Sequence, residues 1–369
     1  MRLRMIPSLL LLVGLGACSN SPLTNSTSAP AVRSYNGTAS VGDFLTITVN
    51  STAKTLSYTN ITNGQNETVP YTVNTDGTYS LSDPSGNLIS AYEVPGYAMV
   101  IQSAKSGPSQ NTPALITAVE SGPITLSTFQ NKSYNYMQMR TNSGGLEVGT
   151  VSVGATAIQN SSYWPYGSVS GGSNSPFNVG SFSLNSTVEN ASGTSFTNND
   201  PNDGSSTIFG TANGFFIVDS GNGSILGLPK ATSAAFNSAN AGTYTAIYYQ
   251  KSNATTGVGN VETGTQSFGK ASIAITSSGA MTITSPTGTV ISQGTLIPVS
   301  SASYLYGSAG ELTDPCYGLF TYRVTTASSQ QDVFVSFVNG AMLFSSFAAP
   351  LPWNNNGSTY TYFYGVGLN

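Results

Sequence analysis

The sequence predicts an all-β protein of antiparallel meanders that form sandwich-like or barrel-like modules, with little or no helix after the first eighteen residues. Three observations predict this class. Apolar and polar residues alternate along much of the chain, clusters of turn-forming residues separate these runs, and few segments have a helical period. Glycine supplies 40 and proline 18 of the 369 residues, and hydrophobic residues make up 39%. The chain therefore has enough apolar material for a core.

The alternation is clearest in two segments. Apolar residues occupy every second position over 44–49 and again over 332–338. Asn339 and Gly340 follow the second segment directly, and another apolar run covers 341–344. Both central residues of a type I′ turn need a positive φ, which Asn and Gly tolerate. The sequence therefore predicts a β-hairpin with its turn at Asn339-Gly340.

Three segments, 76–89, 213–226 and 278–291, resemble one another. Each contains a turn glycine, a short alternating strand, a second glycine nine residues after the first and an apolar pair. This order predicts strand, tight turn and strand in succession, which is a β-meander. The similarity indicates either a weak internal repeat or the common chemistry of glycine-rich hairpins.

The N-terminus carries a targeting pattern. Arg2 and Arg4 precede an apolar run over 6–15, and the run ends in Leu15-Gly16-Ala17-Cys18. This pattern resembles the signal peptide of bacterial lipoproteins. The resemblance implies that residues 1–17 are removed, that Cys18 becomes the acylated N-terminus, with palmitate among its chains, and that the lipid anchors the protein to a membrane. Ser19 follows the cysteine and favours the outer membrane or the cell surface of the bacterial envelope.

Composition suggests how the remaining chain is divided. Residues 18–34 hold the lipidated cysteine and a segment rich in Ser, Thr, Asn and Pro, which is typical of a flexible tether. A long polar stretch over 159–206 indicates a boundary near its start. The sequence therefore predicts an N-terminal β module over 35–158 and a C-terminal β module over 159–369.

Charge and residue types exclude several kinds of function. Charged residues make up only 7% of the chain, and the formal net charge is −4. A nucleic-acid surface needs clustered Lys and Arg, so none is predicted. The chain has no histidine, which excludes His-activated nucleophiles and His-ligated metals. With Cys18 acylated, Cys316 is the remaining thiol, so no disulfide or Cys-ligated zinc site is predicted. We predict no catalytic residue, no metal and no cofactor.

The candidate binding residues surround the two tryptophans. Tyr163, Trp164 and Tyr166 lie in one Pro- and Gly-containing segment, and Trp353 and Asn354 lie in another. Such composition is typical of loops. Exposed aromatic rings can stack on sugar rings while amides hydrogen-bond to hydroxyl groups, which suggests a polysaccharide or another envelope polymer as partner. The alternative is that each tryptophan packs its loop onto the body, because large aromatic side chains gain much from burial.

Three functions remain open on the sequence. We favour a cell-envelope lipoprotein with a non-enzymatic binding or scaffolding role. A structural or adhesive surface protein is the first alternative. The second is a glycan hydrolase that depends on two carboxylates, for which Glu311 and Asp314 form the candidate pair.

Overall fold

The computed structural model confirms the all-β class. It describes residues 29–82, 88–106, 112–139, 147–163, 177–184, 187–200, 204–212, 214–254, 264–299, 317–350 and 359–369. Over these residues the regular structure is strand, apart from two short 3₁₀ turns at Leu126–Thr128 and Ser238–Asn240. No helix within these ranges has the length and apolarity needed to cross a membrane. The strands form three antiparallel sheets that follow one another along the chain.

The first sheet closes into an eight-stranded barrel, which we call barrel 1. Each strand pairs with the next, and the last strand pairs with the first. Its interior holds Leu45, Ile47 and Val49, the residues whose alternation predicted the strand. The strands are β1 (Val32–Ala39), β2 (Phe44–Asn50), β3 (Thr55–Asn60), β4 (Asn66–Val73), β5 (Tyr79–Ser82), β6 (Leu88–Val94), β7 (Ala98–Ser106) and β8 (Thr112–Glu120).

The second sheet has nine strands in the order β12-β11-β10-β9-β17-β16-β15-β14-β13. Its last strand, β17, pairs with its first, β9, as in barrel 1. The strands are β9 (Lys132–Met139), β10 (Glu147–Val153), β11 (Ala157–Tyr163), β12 (Phe177–Ser183), β13 (Thr187–Glu189), β14 (Phe196–Asp200), β15 (Gly204–Gly210), β16 (Phe216–Asp219) and β17 (Ser224–Pro229).

The third sheet also has nine strands, in the order β21-β20-β19-β18-β26-β25-β24-β23-β22. Its last strand, β26, again pairs with its first, β18. The strands are β18 (Gly242–Ala254), β19 (Thr265–Ile275), β20 (Ala280–Thr284), β21 (Val290–Thr295), β22 (Ile297–Pro298), β23 (Leu319–Thr325), β24 (Ser329–Val338), β25 (Ala341–Pro350) and β26 (Tyr360–Leu368). Asn339 and Gly340 between β24 and β25 have φ of 43° and 81°, which confirms the predicted turn.

The second and third sheets must curl until their edges meet. The edge strands β12 and β13 are separated only by residues 184–186, and β21 and β22 only by Leu296. A flat sheet of nine strands is about 38 Å wide, whereas the four residue steps from β12 to β13 span at most about 14 Å and the two steps from β21 to β22 about 7 Å. At the seam of the third sheet, Tyr322 on β23 donates a hydrogen bond to Ser292 on β21 at 2.9 Å. We call these rolled sheets barrels 2 and 3. Each has eight strands when the split strand is counted once.

The three barrels have equivalent ends. We call the end where the first strand of each barrel begins its near end and the opposite end its far end. The turns between the sixth and seventh strands lie at the near ends, and those of all three barrels meet at Tyr97. Its hydroxyl donates to the carbonyl of Val338 in barrel 3 at 3.2 Å, and its ring lies 6.0 Å from that of Phe215 in barrel 2. The near ends are therefore in contact.

A shared core joins the barrels. It includes side chains from the first, seventh and eighth strands of each barrel, among them Val100, Leu115, Met137, Leu226, Ile247 and Leu343. In barrel 2 it extends to other strands, for example to Val151 on β10 and Ile208 on β15. The aromatic residues of β26 belong to it, because Tyr360, Tyr362 and Tyr364 form a stacked row on this face. Such a core explains why both faces of β26 are buried.

Two boundaries differ from those that the sequence suggested. Val32, Arg33 and Ser34 belong to β1, so the folded body begins inside the segment assigned to the tether. The expected boundary at 158/159 lies inside β11, whose neighbours β10 and β12 belong to the same sheet. Strand pairing instead divides the described chain into 32–120, 132–229 and 242–368.

The three similar segments fall on different parts of the barrels. Segment 76–89 covers the fifth strand of barrel 1 and the start of its sixth strand. Segment 213–226 covers the seventh strand of barrel 2 and part of its eighth strand. Segment 278–291 covers the third strand of barrel 3 and the start of its fourth strand. Their similarity therefore comes from hairpin chemistry. The repeating unit of the fold is the barrel itself.

Candidate functional site

A buried ion pair lies at the near end of barrel 1. Arg33 donates two hydrogen bonds to Glu93, from Nε to Oε1 at 2.6 Å and from Nη2 to Oε2 at 2.8 Å. Tyr35 donates to Oε1, and Tyr79 donates to Oε2 at 2.5 Å. The Glu93 side chain is fully buried. We call these four residues the Glu93 cluster. Every carboxylate oxygen in it has two donors, as a buried charge requires.

The surroundings of the Glu93 cluster keep the hydroxyl groups of its tyrosines protonated. Burial is the largest influence on Tyr35 and Tyr79, and the negative charge of Glu93 acts in the same direction, so both hydroxyls have a raised pKa. The Tyr71 ring stacks on Tyr79 with centroids 4.5 Å apart. The neutral hydroxyls are thus fixed as donors. The cluster is closed to solvent and has a structural role: it fills the near end of the barrel 1 interior.

The same cluster fixes the point where the chain enters the body. The third guanidinium nitrogen of Arg33, Nη1, donates to the carbonyl of Pro30 at 2.6 Å. The backbone N–H of Ser51 donates to the carbonyl of Ala31 at 2.8 Å. Both contacts lie at the near end of barrel 1. The described chain therefore begins at this end of the body.

The sequence-predicted binding residues belong to connections at the far ends. Tyr163 ends β11 and pairs with Phe177 of β12, at the far end of barrel 2. The segment 351–358 joins β25 to β26 at the far end of barrel 3. Trp164, Tyr166, Trp353 and Asn354 themselves lie outside the described residues. The described strand ends that flank both segments, Tyr163 and Phe177 on barrel 2 and Pro350 and Tyr360 on barrel 3, lie at the far ends.

A second buried polar group joins barrels 1 and 2 near their far ends. Thr38 on β1 contacts Asp219 Oδ2 at 2.5 Å and Ser224 Oγ at 2.7 Å. Ser224 donates to the carbonyl of Ala39 at 2.8 Å. Beside them the turn at Gly42 packs directly on the backbone of Gly221, where an added Cβ would lie 2.1 Å from the carbonyl carbon. The two far-end turns therefore fit together without a gap.

The candidate pair of the hydrolase alternative, Glu311 and Asp314, does not lie in the part of the chain that the structure describes. Asp43 and Asp219 lie close enough for the charge of Asp43 to raise the pKa of Asp219, but their relative exposures are only 1% and 4%. Within the described ranges, no group of three or more Cys, Asp or Glu residues could hold a metal ion.

Sequence reasoning missed both buried groups. Arg33 stood in a segment that composition assigned to the tether, and Glu93 lies sixty residues away. One signal in the sequence could have indicated the ion pair: Arg33 occupies the same alternating positions as Tyr35 and Gly37, so it lies on the same face of the strand. Asp219 lay in a predicted turn, where an aspartate needs no further explanation.

Comparison with known proteins gives no family. No family model matches the chain, and no curated protein sequence matches it. The solved structures that it resembles include a variant of the vaccine antigen transferrin binding protein B from Haemophilus parasuis Hp5. The identity is 10%, the match covers 88% of this chain and 65% of that chain, and the TM-score is 0.20.

Two other solved structures have similar scores. Isotype 1 transferrin binding protein B from serogroup B Neisseria meningitidis is 12% identical over 89% of this chain and 65% of that chain, with a TM-score of 0.21. A protein of unknown function from the DUF3598 family of Nostoc punctiforme is 6% identical over 92% and 95% of the two chains, with a TM-score of 0.19. This chain thus spans about 65% of the length of the transferrin-binding chains. At these TM-scores the likenesses place it in neither family.

Proposed function

We propose that this protein is a lipid-anchored protein of the bacterial cell envelope, at the outer membrane or cell surface, which binds an envelope polymer without catalysing a reaction. The ligand class is polysaccharide. The binding residues are Tyr163, Trp164 and Tyr166 on barrel 2 with Trp353 and Asn354 on barrel 3. Cys18 carries the lipid.

The observation that carries this proposal is the opposite placement of the chain entry and the far-end connections. Pro30 and Ala31 are held at the near end of barrel 1. From an acylated Cys18 to Pro30 the chain can span at most about 40 Å. The near end then faces the membrane, and the far-end connections with both tryptophans face away from it. A surface-binding protein needs this arrangement.

The barrel interiors support a non-enzymatic role. An eight-stranded barrel is just wide enough for side chains to fill it. In barrel 1 the interior is occupied by a hydrophobic cluster together with the Glu93 cluster. In barrel 3 it is occupied by a separate cluster that includes Ile273, Phe320 and Phe344. Binding is therefore assigned to the connections at the barrel ends.

The closed barrels also favour binding over assembly through sheet edges. A strand at an open edge offers unpaired N–H and C=O groups to another chain. Barrel 1 has no such edge. In barrel 3 the edge strand β21 contacts β23 through the hydrogen bond from Tyr322 to Ser292. These contacts leave fewer edges for β-strand addition, on which a structural or adhesive role would depend.

The proposal is tested by binding of residues 19–369 to a panel of bacterial and plant polysaccharides and peptidoglycan. We expect saturable binding to at least one polymer, with at least tenfold weaker binding in Trp164→Ala or Trp353→Ala, since one lost stacking contact of about 1.5 kcal/mol has that effect. Val73→Ala is the matched control, because Val73 is 57% exposed at the near end of barrel 1. Absence of binding to every polymer, or equal loss in the control, would refute the proposed site.

A further inference from the structure

The polar contacts between barrels 1 and 2 require one more hydrogen than their hydroxyl groups supply. Three oxygen–oxygen contacts follow one another: Asp219 Oδ2 to Thr38 Oγ1 at 2.5 Å, Thr38 Oγ1 to Ser224 Oγ at 2.7 Å, and Ser224 Oγ to the carbonyl of Ala39 at 2.8 Å. We call this series the Asp219 chain. Each contact needs one hydrogen, a hydroxyl supplies one, and a carbonyl supplies none.

The two hydroxyls provide only two of the three hydrogens. Ser224 must donate to the carbonyl of Ala39, because that oxygen can only accept. Thr38 can then donate either to Ser224 or to Asp219, but not to both. With an ionised Asp219, one of these contacts joins two oxygens without a hydrogen between them. With a protonated Asp219, all three contacts are hydrogen bonds in a single direction.

We propose that the junction between barrels 1 and 2 is a pH-dependent latch, complete when the carboxyl of Asp219 carries a proton and donates it to Thr38. Thr38 then donates to Ser224, and Ser224 donates to the carbonyl of Ala39. When pH rises, Asp219 releases this proton to solvent, and the Asp219 chain loses one of its three bonds. The far-end turns of the two barrels are then held less tightly.

The electrostatic surroundings agree with this assignment. Burial is the largest influence and raises the pKa of Asp219 to about 6, and the charge of Asp43 on barrel 1 acts in the same direction. When Asp219 is ionised, hydrogen bonds donated by Thr38 and by the backbone N–H of Gly221 act in the opposite direction. In the described part of the chain, no lysine or arginine forms an ion pair with Asp219. Asp43 is thus the ionisable group that influences it.

The direction of the pH effect follows from the two states. The pKa of Asp219 is about 6 in the folded protein and 3.8 in the reference state. A raised pKa in the folded state means that the folded protein binds the proton more tightly than the unfolded chain. The latch therefore strengthens as pH falls through 6, and between pH 7.5 and pH 5 the closing equilibrium should change about tenfold.

Native-state hydrogen exchange at the Gly42 amide, which donates to the carbonyl of Ala39 at 2.8 Å, tests the latch. We expect its protection factor to be about tenfold higher at pH 5 than at pH 7.5 in the wild-type protein. Asp219→Asn should keep high protection at both pH values, because its amide NH₂ can donate to Thr38 as the protonated carboxyl does. Asp76→Asn is the matched control, since Asp76 is an exposed carboxylate on another turn of barrel 1.

Direct titration of the Asp219 carboxyl in the wild-type protein tests the latch even if Asp219→Asn fails to fold. In wild-type protein labelled with ¹³C at aspartate carboxyls, the Asp219 signal should titrate with a midpoint near 6. A midpoint at or below 4 would overturn the proposal. An Asp219→Asn variant that keeps the wild-type pH dependence of protection would overturn it as well.

Discussion

Replacement of Glu93 by alanine is expected to lower the free energy of unfolding of barrel 1 by about 3–5 kcal/mol. The change leaves the guanidinium of Arg33 buried at 7% relative exposure without its partner. It also removes the acceptor of Tyr35 and Tyr79, so two buried hydroxyls lose the hydrogen bonds that they donate. Denaturant unfolding followed by tyrosine fluorescence measures the effect.

A paired substitution separates the unpaired charge from the loss of packing. Replacing a buried ion pair with apolar residues of similar volume is often neutral or stabilising. Arg33→Met combined with Glu93→Leu should therefore restore the part of the stability that Glu93→Ala loses through the unpaired charge and the lost packing, while Tyr35 and Tyr79 still lack their acceptor. If the double variant is as unstable as Glu93→Ala, or if Glu93→Ala costs less than 1 kcal/mol, the ion pair does not hold the near end as described.

Gly42→Ala is expected to destabilise the contact between barrels 1 and 2 by about 3 kcal/mol or more, because strain and overpacking act together. Gly42 has a φ of 89°, and an added Cβ would lie 2.1 Å from the carbonyl carbon of Gly221. Backbone cannot move aside as a flexible side chain can, so the two turns must separate. Thermal unfolding and hydrogen exchange at the 220–223 turn measure the loss.

Gly64→Ala provides the matched control. Gly64 has a φ of 78° in another far-end turn of barrel 1, and an added Cβ there would meet nothing within 4 Å. It carries the conformational strain without the clash and should cost about 1 kcal/mol. Equal losses in Gly42→Ala and Gly64→Ala would show that the turns of the two barrels are not in contact.

Local pattern was enough to predict the strands but not their long-range pairing. The alternation of Leu45, Ile47 and Val49 predicted β2, and Asn339-Gly340 predicted the turn after β24, because both signals depend on neighbouring residues. Closure depends on pairs such as Gly37 with Ala118, which lie far apart in sequence. Alternation is the same in an open and a closed sheet, so it could not reveal three barrels.

The residues that join the barrels were hidden for a related reason. Tyr97 follows a Pro-Gly turn signal, and nothing local shows that its hydroxyl reaches Val338, 241 residues away. The polar outward positions Asn36 and Thr38 on β1 predict a solvent-facing side of the strand. In the structure both are buried against barrel 2 and hydrogen-bonded to it. These two polar positions on β1 therefore mark the junction between barrels 1 and 2, and not a surface in contact with solvent.

Fluorescence energy transfer from two positions on barrel 1 to a membrane dye tests the central claim most directly, namely that the near end faces the membrane. The lipidated protein, which also carries Cys316→Ser, is placed in vesicles. A donor is attached at Ala53→Cys, in an exposed near-end turn, or at Ile61→Cys, which is 55% exposed at the far end. Cys18→Ser, which lacks the lipid, controls for attachment.

The six residues of β3 separate the two probes by about 20 Å. We expect stronger transfer from position 53 than from position 61, with a difference of that size in distance to the bilayer, and no transfer in the Cys18→Ser control. Equal transfer from the two positions, or stronger transfer from position 61, would contradict the orientation on which the proposed binding surface depends.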